Sequence, residues 1–364
     1  MNEEPEVLVE RRGRLGLLTL NRPRAINALT HHMVEIISGA LEAWRDDDEI
    51  QTVAVVGAGE RGLCAGGDVI SLYRDATQGD GLSAAAFWAD EYRMNSAISA
   101  YPKPFVAIQD GIVLGGGIGV SAHGSHRIVT ERSKLGFPET TIGYFPDVGA
   151  TWLLSRAPGH LGRKLALTAE SIGAADAILV GFSDSFVPSE HIAALLEALE
   201  EDTVDAAIAR FASEPPPGKL QAQRTWIDAA FAAETVDGVL EALRAITGDH
   251  AADAASAADT IEAKSPIALA VAQESLRRAA SLESLEDALR MEYRMSRHAS
   301  KTHDFVEGIR AQLVDKDRNP SWRPATIAEV TAEDIEAYFE VPPEGDLEFE
   351  PHTQHLSHTS KETS

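Results

Sequence analysis

The chain has 364 residues, with 57 acids against 32 bases, a formal net charge of −25, 44% hydrophobic content and one cysteine, Cys64. That balance argues against a nucleic-acid partner, whose affinity would rest on basic clusters that neutralise phosphates, and against an anionic membrane surface. A lone cysteine excludes an internal disulfide and fits a reducing, cytoplasmic setting.

The start, Met1-Asn2-Glu3-Glu4-Pro5-Glu6, lacks the basic opening and apolar run of a secretory signal or transit peptide. No apolar run approaches the roughly 20 residues of a membrane span. Residues 7–10 and 15–20 read as two strands joined by a turn at Gly13. Residues 21–29 form a loop, and Thr30 caps a helix that runs to about Asp46 with Met33, Ile37, Leu41 and Trp44 on one face. Residues 52–57 and 105–109 are continuous apolar strands, as in a sheet covered on both faces. Each leads to a glycine-rich loop, Gly62-Leu63-Cys64-Ala65-Gly66-Gly67-Asp68 after the first and Gly115-Gly116-Gly117-Ile118-Gly119 after the second. Residues 82–100 are helical, Pro102-Lys103-Pro104 ends that helix, and residues 127–130 form a third buried strand. Strand, glycine loop and helix thus recur, which is α/β organisation with ligand-facing loops after the strands. From about Leu161 the composition turns helical. Three to four helices are expected over 192–258, with Pro215-Pro216-Pro217-Gly218 as a hinge or linker. Residues 268–295 have helical spacing behind Ser265-Pro266, a cap with proline at the first helical position. Residues 342–364 have the composition of a disordered tail.

Glu139 and Asp147 lie eight positions apart in a stretch, residues 136–149, that is otherwise apolar or rich in glycine and proline. An acid there has little solvent to share, so both are candidate catalytic groups. The structural alternatives are a basic partner for Glu139 and a helix N-cap role for Asp147. Backbone N–H groups in the two glycine loops, at Gly67 and Gly116, can point at a developing oxyanion; tight turns or close helix packing would explain the same glycines. A dinucleotide-binding reading of Gly115, Gly117 and Gly119 fails at Val120. A hydrolase elbow at Gly119-Val120-Ser121-Ala122-His123 has histidine where glycine is needed. Cys64 reads as buried filler rather than a nucleophile. His352, His355 and His358 offer at most an adventitious metal, and no other spacing suggests a resident one.

Asn21-Arg22-Pro23-Arg24-Ala25-Ile26-Asn27-Ala28-Leu29, Cys64-Ala65-Gly66-Gly67-Asp68, Gly115-Gly116-Gly117 and Pro138-Glu139-Thr140-Thr141-Ile142-Gly143 together resemble the enoyl-CoA hydratase/isomerase (crotonase) superfamily, in order and in spacing. The resemblance implies a crotonase-like ββα-spiral core with a helical C-terminal region, divided as 1–200 core, 201–340 helices and 341–364 tail. It implies an acyl-CoA thioester as ligand, with its carbonyl between the N–H groups of Gly67 and Gly116, and coenzyme A as part of the substrate rather than a cofactor. Glu91, Arg24, Ala25, Gly66 and Asp68 are then expected to bind substrate, Arg24 through a CoA phosphate. A hydratase of this superfamily has a second glutamate at the position of Gly119, which this chain lacks. Phe145-Pro146-Asp147-Val148-Gly149, with Asp90-Glu91-Tyr92-Arg93-Met94-Asn95 and the motifs near Lys264, Glu292 and His303, is similar instead to the thioesterase branch that hydrolyses 3-hydroxyisobutyryl-CoA in valine breakdown. The resemblance thus implies Glu139 and Asp147 as an acid–base or nucleophilic pair. An enoyl-CoA hydratase or isomerase, and a non-catalytic CoA-binding protein, are the alternatives. Trimers or hexamers are the assemblies the superfamily suggests.

Overall fold

The computed structural model describes residues 4–349. Six strands form one sheet in the order β1 (Val7–Arg12), β2 (Leu15–Leu20), β3 (Thr52–Gly57), β4 (Phe105–Gln109), then β6 (His126–Val129) and β8 (Ser185–Phe186). Two short strands, β5 (Ile112–Leu114) and β7 (Lys134–Gly136), pair in parallel as a second sheet. Only the β1–β2 hairpin of the main sheet is antiparallel, with Val7 opposite Leu20 and Arg12 opposite Leu15. The remaining crossovers are long enough to carry helices, as parallel pairing requires.

The apolar runs of β2, β3 and β4 make sense because the sheet is covered on both faces. Leu18, Leu20, Val53, Val55, Phe105 and Ala107 point into the larger core, which holds the helices His31–Arg45 and Leu82–Ser99. Their neighbours Leu15, Leu17, Ala54, Val106 and Ile108 point the other way, against Leu195 of the helix Ile192–Ala198, Leu199 just after it, and Val204 and Ala207 of the helix Val204–Phe211. The period of two in the strands thus decides which core each side chain joins.

The described residues beyond 200 share the hydrophobic cores of the residues before them. The chain crosses from one face of the sheet to the other through residues 212–218, and the N–H groups of Lys219 and Leu220 then bond to the Asp176 carboxylate at 2.9 and 3.0 Å. The buried residues of Leu220–Ala230, Pro266–Ala279 and Leu285–Ala299 join the same core as β2 to β4. Ser265 caps as expected, its Oγ accepting from Ala268 N at 3.2 Å. The stretch of helical spacing over 268–295 falls in two helices, broken at residues 280–284 and restarted by the Ser284 cap on Asp287 N. The early part of the expected disordered tail is docked: Leu347 is buried, Asp346 pairs with Arg294, and the Leu347 carbonyl accepts from Arg290. Its few apolar residues, Leu347 and Phe349, suffice to anchor it because three arginines of Leu285–Ala299 meet it. The rest of that segment, with His352, His355 and His358, lies outside the described residues.

Candidate active site

The first loop is shaped by Asn27, a buried residue at φ 54°. Its carboxamide donates to the carbonyls of Ala58 and Gly62 and accepts from Arg22 N, which turns Ala25 and Ala28 toward a cavity of about 570 Å³. Leu29 N–H bonds to Gly66 O and Asp68 N–H to Leu29 O, both at 2.8 Å. A parallel bridge of this kind leaves the intervening N–H, that of Gly67, turned away from it. Gly116 begins the short helix Gly116–Gly119, so its N–H is one of the first-turn donors with no carbonyl inside the helix. The two loops meet: a Cβ added to Gly116 would lie 3.2 Å from Gly67 N and 2.7 Å from Glu91 Oε1. Side chains there would fill the space between the two donors, which is the physical reason for glycine at 116.

Glu139 opens the 3-10 turn Glu139–Ile142 directly across this gap. Its Oε1 would be 2.5 Å from a Cβ at Gly115, and its Oε2 is buried with no hydrogen-bond partner. No ion pair of the described residues involves it, so the basic partner of the structural alternative is missing. Burial first, then the charge of Asp147, pushes its carboxyl well above the usual carboxylate range. The turn is braced from the C-terminal region. Gly308 of the helix His303–Ile309 lies against Ile142, where an added Cβ would be 2.7 Å from its Cα and closer still to its carbonyl. Phe305 of the same helix packs on Tyr144 and Trp88, with ring centroids 5.4 and 6.3 Å apart.

Asp147 does not cap the following helix. Gly149 is the cap residue of Ala150–Arg156, and the helix N-terminus is met instead by the Glu292 carboxylate, which accepts from Gly149 N at 2.7 Å, Thr151 N at 2.9 Å and Thr151 Oγ1 at 2.6 Å. The Asp147 carboxylate is thereby free to face the cavity. It accepts from the hydroxyls of Tyr92, at 2.7 Å, and Tyr144, at 3.3 Å, and both hydroxyls also meet Ser296 Oγ. Burial raises its carboxyl to about 6, and the two tyrosine hydroxyls hold it from rising further. Burial likewise raises Glu292 to about 8 against the pull of the Thr151 and Gly149 donors. Glu91, on the helix Leu82–Ser99, is raised well above its ordinary value by burial and by Asp147, and its Oε1 has no partner. Exposures of 2% for Glu91, 7% for Glu139, 6% for Asp147 and 0% for Glu292 mean that four carboxyls share one dry region. Like charges so placed do not all ionise together near neutrality, so the cluster holds protons that it can exchange.

The cavity lining brings together Glu139, Asp147, Gly67, Gly116, Glu91, Ala25, Gly66 and Asp68. Asp68 also receives Arg22 at 3.2 Å. Arg24 lies outside the lining, exposed on the turn Pro23–Ala25. Tyr92 and Glu292 lie in motifs of the resemblance, but neither they nor Tyr144 and Ser296 carry an expected role. Glu292 and Ser296 fall on the same face of their helix as Leu285, Ala288, Leu289 and Ala299, and polar residues at apolar positions were the available signal. Gly119 has a packing reason: a Cβ there would be 2.7 Å from Val148 Cβ and 3.1 Å from Asn95 Nδ2. Ser121 Oγ is spent on the Gly117 carbonyl and on Gln109, and burial drops His123 to about 4 and raises Cys64 to about 12, so none of the three is poised as nucleophile or base. Two further cavities, about 480 and 820 Å³, lie among the later helices, where Lys164 is paired with Glu170 and Arg277 with Glu274. Among the described residues, no helix is long and apolar enough to cross a membrane, and no group of three metal-ligating side chains occurs.

The enoyl-CoA hydratase/isomerase family matches residues 15–339. A relative from Danio rerio, 3-hydroxyisobutyryl-CoA hydrolase, mitochondrial, is 39% identical over 94% of this chain and 91% of its own length. Among solved structures, a carnitinyl-CoA dehydratase from Mycobacterium thermoresistibile is 53% identical, covers 96% of this chain and 100% of that one, and superposes with a TM-score of 0.92. An enoyl-CoA hydratase from Rhodobacter sphaeroides is 39% identical over 95% and 100% of the two chains, with a TM-score of 0.89. Two glycine loops facing buried acids across one cavity, and near full-length likeness at these identities, lead to one conclusion: the chain belongs to the enoyl-CoA hydratase/isomerase family.

Proposed function

We propose that the protein hydrolyses the thioester of a short 3-hydroxyacyl-CoA, 3-hydroxyisobutyryl-CoA first among them, to the free hydroxy acid and CoA. The observation that carries this reading is the pairing of Glu139 with Asp147 across from two free N–H donors, while Val148 and Asn95 occupy the space where a hydratase would need an acid at position 119. The name of the Danio rerio relative supports the same chemistry.

In this mechanism the thioester carbonyl enters between the N–H groups of Gly67 and Gly116, which stabilise charge as it develops on oxygen. Glu139, whose carboxylate burial and the charge of Asp147 make more basic than an ordinary one, takes a proton from water as the water oxygen bonds to the carbonyl carbon. Collapse of the tetrahedral species breaks the carbon–sulfur bond, and the thiolate leaves with a proton returned from the acid cluster. The same geometry allows Glu139 to attack directly, giving a mixed anhydride that water opens. Asp147 holds the 3-hydroxyl or the attacking water, and Glu91 lines the acyl end. The reading needs no cofactor beyond the CoA that the substrate brings.

Single turnover in heavy-oxygen water tells the two routes apart: label in the Glu139 side chain means an anhydride, and label only in the product acid means direct attack. Thiol release from 3-hydroxyisobutyryl-CoA and 3-hydroxypropionyl-CoA, with Glu139→Gln and Asp147→Asn beside the wild type, tests the assignment. Loss of about 10²–10⁴-fold in Glu139→Gln is expected for a lost base. A second reading, hydration or dehydration of an acyl-CoA double bond, is favoured by what the two solved structures are named; hydration of crotonyl-CoA without CoA release would replace hydrolysis by it. We place the enzyme in the cytoplasm, on its single cysteine, and as a trimer or hexamer. Cell fractionation tests the first, since the relative is named mitochondrial, and sedimentation tests the second.

A further inference from the structure

The turn that carries Asp147 adopts a backbone its own sequence does not favour. Val148 has φ 58° and Gly149 has φ 81°. Glycine takes the left-handed region freely, but a β-branched residue there is strained. Two left-handed residues in succession therefore have to be held from outside.

Two buried side chains from distant parts of the chain do this. His123 Nε2 lies 2.7 Å from the Val148 carbonyl. A carbonyl only accepts, so that nitrogen carries the hydrogen. Burial holds the ring neutral, and it packs so closely on Gly149 that a Cβ there would be 2.5 Å from Cε1 and Nε2. From the opposite side, Glu292 gathers the N–H groups of Gly149 and Thr151 and the Thr151 hydroxyl on one carboxylate. Neither clamp touches the Asp147 carboxylate. Both fix the peptide planes on which its direction depends, and in that direction it accepts from the Tyr92 hydroxyl at 2.7 Å.

We propose that Glu292 and His123 are positioning residues, which hold Val148 and Gly149 left-handed and so keep the Asp147 carboxylate in the cavity. The proposal rests on the functional reading above only in taking Asp147 to serve turnover. Released from either clamp, Val148 relaxes toward the right-handed or extended regions and Asp147 swings off Tyr92.

The test combines a structure with a coupling measurement. The crystal structure of Glu292→Gln, with His123→Phe as a second variant that keeps ring volume but loses the donor, should show Val148 out of the left-handed region and the Asp147–Tyr92 bond broken in at least part of the molecules. In turnover, Glu292→Gln should lower kcat about tenfold with KM changed by less than about twofold. In a Val148→Gly background the same substitution should lower kcat by less than about twofold, because glycine needs no clamp. A role in stability alone would lower the melting temperature equally in both backgrounds and leave this coupling at zero. An unchanged turn in both variant structures, or an equal kcat loss in both backgrounds, overturns the proposal. If the wild type releases no CoA, the thioesterase reading falls, while the variant structures still decide whether the clamp exists.

Discussion

Replacing Tyr92 by Phe removes one hydroxyl and no volume from a fully buried site. That hydroxyl is the shorter of the two that donate to Asp147, 2.7 Å against 3.3 Å from Tyr144. A donor favours the ionised carboxyl, so its loss raises Asp147 from about 6. A hydrogen bond to a charged group contributes roughly 1.5–3 kcal/mol, and about 1.4 kcal/mol corresponds to one pH unit. The Tyr144 hydroxyl can close part of the gap, so a displacement of about one pH unit is expected. The assay is kcat/KM for thiol release between pH 5 and 9. Whichever limb of the profile belongs to Asp147, acid or base, it should move toward higher pH. If Asp147 must be ionised, the variant loses about fivefold near pH 6, approaching tenfold near pH 5, and little near pH 8.5. A profile that stays put, or moves toward lower pH, would refute the assignment of that limb to a carboxyl held by Tyr92.

Gly308→Ala should lower stability by about 1–3 kcal/mol and reduce kcat, because the new methyl meets the Ile142 backbone and displaces the turn that carries Glu139; thermal melts and turnover check both effects. Gly119→Glu should not create a hydratase: its side chain meets Val148 and Asn95, so the expected result is an unstable protein with no hydration of crotonyl-CoA. Stability should also fall as pH rises from 6.5 to 8.5. Glu292 titrates at about 8 when folded against an ordinary 4.5, so the folded state binds more protons across that window and ∂ΔG/∂pH is negative. Glu292→Gln should flatten this slope in melts at a series of pH values. His123, lowered to about 4, works in the opposite sense only below its ordinary 6.5.

The parts of this site that were legible in the sequence are those made of contiguous residues. The glycine loops at 66–67 and 115–117 and the acids at 139 and 147 announce themselves because buried strands, glycines and isolated acids are local patterns. What was hidden is what holds them. Glu292 lies within a helix crowded with charges, and although its place on the apolar face sets it apart from a solvated acid, nothing local says what it binds. Its partners at Gly149 and Thr151 are set by how that helix docks. The same holds for Tyr92 and Ser296, which come within hydrogen-bond distance although their helices are far apart in sequence. The N-cap alternative for Asp147 failed for a related reason: local pattern offered one acid to that helix, and tertiary packing supplied another. The break at residues 280–284 was hidden because the helical spacing runs on both sides of it, and only the Ser284 cap marks the restart.

The brace that Gly308 and Phe305 set against the Glu139 turn also imposes an order in time. Glu139 is synthesised well before His303–Ile309, and at about 5–20 residues per second the lag is roughly ten to thirty seconds. During that interval the carboxyls that later share a dry cavity stand in water, where they titrate as ordinary acids. The chemistry arrives with the last helices, and because those helices also complete the core that covers β2 to β4, premature termination leaves scaffold and catalytic centre unfinished together.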